Sequence, residues 1–171
     1  MNKIGIAIRY GLIGGIAVVF YFTIAYLAGK NLFINPWLQW ASMIIYIWIM
    51  YKAAQDDCKE NGFSRDFRAI LRTPFVVFLL INLAYWLFFY GLHLADSELL
   101  QIETAEQIKH IKAQLSTGTG DPQQANNLRE QLQYLENSGM ALPIGPVFMR
   151  MALGAMGGFG ISAAIAAIVR E

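Results

Sequence analysis

Few side chains in this chain have both the type and the setting to do chemistry. His93 lies near the end of an uncharged run and is followed by Asp96 and Glu98. An imidazole beside carboxylates suits a proton path, and ionisable groups at membrane depth attract that reading. A histidine at the water interface is the plainer alternative, and His110, in a polar segment, reads as solvated. Arg150 opens the last apolar run from its polar side. It suits contact with acidic groups or lipid phosphate, or simple snorkelling. Asn82 falls near the middle of an apolar run. An amide there needs a partner, so helix–helix contact is expected ahead of substrate contact. Arg65, Arg68 and Arg72 recur at three- and four-residue spacing. They form a candidate lipid or partner contact, with positive-inside anchoring as the bland alternative.

These groups do not add up to a catalytic site. No paired-carboxylate, histidine-cluster or nucleophile–base pattern is visible in the sequence. The one cysteine, Cys58, excludes an intrachain disulfide and a multi-cysteine metal site. The expectation is therefore a protein that is not an enzyme, with no cofactor and no metal. Net charge is +1, which gives no case for nucleic acid.

The elements that position these residues follow from the charge pattern. Of the 171 residues, 56% are hydrophobic and 15% charged, against roughly 25% charged in soluble domains. The deficit sits in four uncharged runs. Thr73–Ala95 carries no formally charged side chain and is long enough for a hydrocarbon core of ~30 Å. The other spans are predicted over 10–29, 35–51 and 147–169. Asn35-Pro36 reads as a turn followed by a helix start, with Pro at the first helical position. Lys3 and Arg9 before the first run mimic a signal peptide. With no small-residue cleavage site and three more spans behind it, the run reads as a retained helix. Gly11-x-x-x-Gly15 and Gly154-x-x-x-Gly158 allow close backbone approach. Span 1 against span 4 within one chain is expected, with a homo-oligomer as the alternative.

Among short flanks, basic residues favour one side: Lys3, Arg9, Lys52, Lys59, Arg65, Arg68, Arg72 and Arg170, against Lys30. Both termini are therefore expected on the cytoplasmic side of the membrane. The 52–72 segment becomes a cytoplasmic loop. Asn61-Gly62 stops one helix there, Ser64 caps another, and Pro74 kinks or restarts the helix at the junction. Cys58 in that loop reads as a reduced bystander. The 96–146 segment becomes an extracytoplasmic antiparallel helical hairpin. Its first helix carries Leu99, Ile102, Ile108, Ile111 and Leu115 on one stripe. After a Gly-containing break, Asp121 and Pro122 start a second helix with a seam of Ala125, Leu128, Leu132 and Leu135. A hairpin standing off the membrane is preferred to helices lying on it, because the other faces are acidic.

The order of features is a Gly-rich first span, Asn-Pro opening the second, and a segment with Asn61, Gly62, Phe63 and Phe67. An outer helical insert and a Gly- and Ala-rich last span ending at Arg170 follow. In this order the chain resembles the bacterial domain of unknown function 4199 family of small four-span membrane proteins. The resemblance implies a multi-span inner-membrane protein and brings no catalytic residues with it. The expected fold class is all-α: a four-helix transmembrane protein with a hairpin between spans 3 and 4. The expected role is an accessory or scaffold subunit of a larger membrane complex. Its partners would be the bilayer and other membrane proteins, met through the hairpin and the Gly-rich spans. The alternative is a small oligomeric transporter or flippase for a lipid-linked molecule, with Asn82, His93 and Arg150 lining its path.

Overall fold

The structure is a computed structural model. It describes residues 3–62, 66–117, 122–137 and 144–170, with side chains described from residue 5 and, in the last segment, from residue 151. Arg65, Ser64 and Asp121 lie outside the described residues, as does the side chain of Arg150. The described residues form seven helices: α1 Lys3–Ala28, α2 Lys30–Ile34, α3 Pro36–Asn61, α4 Phe67–Ala95, α5 Ser97–Thr117, α6 Pro122–Asn137 and α7 Ile144–Arg170. Among the described residues, three segments are long and apolar enough to cross a membrane: Gly5–Ala28, Phe67–Ala95 and Met151–Arg170. The chain is a multi-pass membrane protein.

Local chemistry sets the helix ends. Gly29, at φ +149°, separates α1 from the short α2, a conformation that L side chains rarely adopt. The Asn35 side chain accepts from the Trp37 N–H at 2.9 Å, and Pro36 fills the first position of α3 as expected. α3 does not stop at Tyr51. It runs on to Asn61, where Gly62 at φ +92° ends it and donates its N–H to the Cys58 carbonyl at 2.8 Å. The supposed 52–72 loop is therefore mostly helix. Pro74 lies inside α4 and does not end it, because the helix already starts at Phe67.

The chain divides into two compact units, 1–90 with 144–171, and 91–143. The first is a bundle of α1, α3, α4 and α7. Its directions follow from the pairings. Tyr21 donates to the Leu38 carbonyl at 3.0 Å and Tyr10 to Asp56 at 2.5 Å, so α1 and α3 are antiparallel. A Cβ on Gly11 would meet Leu80 at 2.5 Å and one on Gly15 would meet Ala84 at 2.9 Å, so α1 and α4 are parallel. The Phe75 and Phe159 rings meet edge to face at 5.6 Å, and Gly158 lies against Phe78, so α4 and α7 are antiparallel. Both glycine sets therefore face α4. The expected contact of span 1 glycines with span 4 glycines is not what the packing uses, because α4 presents side chains to both.

The core holds Val18, Phe22, Phe33, Ile49, Met50, Ala53, Ile70, Val77 and Ile81. Outside, the bundle is apolar. Leu12, Ile16, Phe20, Ile24 and Leu27 line α1, Leu79, Leu83 and Leu87 line α4, and Leu153 and Met156 lie on α7. Trp37, Trp40, Ile44, Ile47 and Trp48 do the same on α3, with Trp37 82% exposed. A water-soluble surface rarely carries apolar patches of this extent.

In the second unit, α5 and α6 fold back on one another, tied by Lys112 Nζ to Glu136 Oε1 at 3.0 Å. Asp96 caps α5 by accepting from the N–H groups of Glu98 at 3.1 Å and Leu99 at 3.3 Å. On α6, Ala125, Leu128, Leu132 and Leu135 are half-buried and every other residue is exposed. Those are the four seam residues expected from their spacing. On α5, Leu99 is buried and Ile102, Ile108, Ile111 and Leu115 are half-buried.

Glycine packing on α7 is directly testable. A Cβ at Gly158 would collide with the buried Phe78 ring, whereas one at Gly157 has nothing within 4 Å. Gly158→Ala is expected to destabilise the detergent-solubilised bundle by about 1–3 kcal/mol. Gly157→Ala should be near neutral, as read by chemical or thermal unfolding.

Candidate functional site

The most concentrated polar chemistry in the first unit lies where α3 ends and α4 begins. Asp57 is 0% exposed. Its Oδ1 accepts from Asn61 Nδ2 at 2.8 Å, one turn further along α3. Its Oδ2 accepts from Thr73 Oγ1 at 2.9 Å, on α4. Thr73 is itself buried. A buried carboxylate is costly unless hydrogen-bonded, and these donors make it a polar tie between the two helices. Beside it, Cys58 is buried.

One residue earlier, Asp56 Oδ2 accepts from the Tyr10 hydroxyl on α1. Lys59 Nζ stands 3.6 Å from its other oxygen. The Tyr10 hydrogen bond holds the Asp56 carboxyl below the usual carboxylate range, partly opposed by burial and helped by smaller contributions from Lys59 and Lys52. Adjacent aspartates on one turn thus bind α3 to α1 and to α4. The helix directions gather Arg9, Lys52, Lys59, Arg68, Arg72 and Arg170 at this same end of the bundle.

The second unit has its own pair. His93, with a side chain 0% exposed, stands 2.7 Å from Glu103 Oε2. Gln107 Nε2 donates to the other Glu103 oxygen at 3.3 Å. The imidazole was expected beside Asp96 or Glu98 at an interface. It is buried and joined to Glu103 instead, across the α4–α5 turn, and so is not a surface for lipid or a partner.

The remaining candidates fall as follows. Asn82 is buried and reaches the Met151 carbonyl at 3.5 Å, a long hydrogen bond to α7. A Cβ on Gly154 would meet the same amide at 3.7 Å. Asn82 and Gly154 therefore serve the α4–α7 contact, as Gly11 and Gly15 serve α1–α4. Arg68 and Arg72 are exposed. Among the described residues no group of three or more His, Cys, Asp or Glu is placed to hold a metal ion.

Asp56, Asp57, Tyr10, Thr73 and Glu103 were not singled out by the sequence reading. A signal for Asp57 was present. Tyr46, Ile49, Met50, Ala53, Ala54 and Asp57 continue one helical face across Lys52. Reading the segment after Tyr51 as a loop hid it.

Compared with known proteins, the family model described as Protein of unknown function (DUF4199) matches residues 9–171, in line with the resemblance read from the sequence. No curated protein and no solved structure matches the chain.

Two outcomes follow for the polar end. Asp57→Ala leaves the buried Thr73 hydroxyl without this acceptor and should destabilise the bundle by about 1–3 kcal/mol, with Asp57→Asn milder. The Asp56 carboxyl is lowered in the fold, so its contribution is present above the ordinary carboxylate pKa of about 4 and is lost as pH falls through the lowered value. Tyr10→Phe should be destabilising at pH 7, and the gap to the native chain should begin to narrow as pH falls below about 4. Unfolding of both proteins across a pH series checks this.

Proposed function

The chain belongs to the DUF4199 family, and from that premise we propose that it is a four-span accessory or scaffold subunit of a bacterial inner-membrane complex, without catalytic activity of its own. The observation that carries the fourth span is the outer face of α3. Trp37, Trp40, Ile44, Ile47 and Trp48 form an exposed apolar stripe at helical spacing. Aromatic rings lower the hydropathy of this helix without making it less suited to lipid, since Trp and Tyr favour the membrane interfaces. At 1.5 Å per residue, its 26 residues extend about 39 Å.

With α3 counted as a span, the basic end of the bundle is the cytoplasmic one by the positive-inside rule. On this reading both termini are cytoplasmic and the 91–143 unit is extracytoplasmic. That unit is a polar helical hairpin with a seam only half covered by its own two helices. It is the part of the chain best suited to a protein partner. The transporter or flippase alternative is less well supported, because Asn82 and His93 are turned to partners within the chain.

Photo-crosslinkers placed at the exposed Glu130 and Tyr134 of α6, in membranes of the native host, test the reading. A discrete adduct of defined mass is expected from these positions and not from the lipid-facing Leu12 or Ile16. Absence of any adduct from the hairpin, with the protein migrating alone after mild solubilisation, would remove the accessory-subunit reading.

A further inference from the structure

α4 carries an exposed face that changes chemistry along its length. At 3.6 residues per turn, Arg68, Arg72, Leu79, Leu83 and Leu87 fall within about 100° of one another around the helix. Leu79, Leu83 and Leu87 are exposed at 38%, 46% and 65%. Arg68 and Arg72 are exposed as well. Neither makes a hydrogen bond or an ion pair among the described residues. Asp66, the nearest acidic neighbour in sequence, precedes the first residue of α4.

We propose that this face is a docking site for one anionic phospholipid. The headgroup phosphate sits between the Arg68 and Arg72 guanidinium groups, and an acyl chain lies along Leu79 and Leu83. The dimensions agree. Leu79 is about 10 Å along the axis from Arg72, and Leu83 about 16 Å, the depth of one leaflet of a ~30 Å core. Guanidinium groups pair with phosphate through a planar fork of donors, which an ammonium cannot match. Charge alone gives a general attraction to the cytoplasmic leaflet. Two unpaired arginines in register with an apolar stripe give a seat for head and tail together. The inference rests on α4 as a membrane span and not on the accessory-subunit reading.

Native mass spectrometry of the full chain in detergent, titrated with equimolar dioleoyl phosphatidylglycerol and dioleoyl phosphatidylcholine, tests it. Two arginines at the surface predict a preference for the anionic lipid of roughly thirty-fold. Arg68→Gln/Arg72→Gln should abolish most of that preference, whereas Lys109→Gln/Lys112→Gln should keep it. Should the arginine double variant fail to insert, the native chain at rising salt gives the same reading, since the preference must fall. Equal uptake of the two lipids, a preference unchanged in the arginine variant or by salt, or displacement of the lipid by millimolar inorganic phosphate would each overturn the proposal.

Discussion

The structure depends on an inverted surface. Four helices turn leucine, isoleucine and tryptophan outward and keep Gly11, Gly14, Gly15, Gly158 and buried polar groups such as Asp57, Asn82 and Ser162 inward. In water such a bundle would aggregate. In hydrocarbon, burial of apolar groups no longer separates inside from outside, because lipid tails are as apolar as leucine. Association of the helices then depends on close fit and on hydrogen bonds. Gly11, Gly14 and Gly15 let α1 approach Leu80, Ile81 and Ala84, and Gly158 receives the Phe78 ring. α4 is the common partner, with small residues on both neighbours and its own larger side chains between them. Phe22, Phe33, Tyr85 and Phe89 pack together toward the other end, with Phe22 and Tyr85 centroids 4.9 Å apart.

Polar groups inside this environment have little water to fall back on, so each is tied. Asp57 is met by Asn61 and Thr73, and Ser162 returns its hydroxyl to the Gly158 carbonyl at 2.7 Å. Among the described residues no buried side-chain nitrogen or oxygen is left without a partner. Asp56 and Asp57 lie at the basic end, where the helices leave the apolar zone. There they fix α3 against α1 and α4 at the depth where packing alone gives way to water.

Much of this was legible from residue order. Three of the four uncharged runs fall in helices long and apolar enough to cross a membrane. The three- and four-residue steps of Ala125, Leu128, Leu132 and Leu135 identified the only half-buried positions of α6. Asn35-Pro36 and Asn61-Gly62 marked real helix ends. Partners were harder to read. An i, i+4 glycine pair defines a face of its own helix and carries no information about which helix meets it, so α1 was matched to α7 when both meet α4. His93 was matched to the nearest carboxylates in sequence, whereas the turn at Asp96 also brings α5 back so that Glu103, ten residues on, comes within 2.7 Å. The apolar run ends at Lys52, but the helix continues to Asn61, where its face still meets α1 through Tyr10–Asp56 and α4 through Thr73–Asp57.

The central claim is that α3 crosses the membrane as the fourth span. Single cysteines placed at Asn31, Glu60 and Tyr134, in a Cys58→Ala background, can be labelled in intact cells with a membrane-impermeant maleimide. The account predicts that Asn31 and Tyr134 react in intact cells while Glu60 reacts only after permeabilisation. Labelling of Asn31 and Glu60 from the same side would mean that α3 does not cross, and would contradict it.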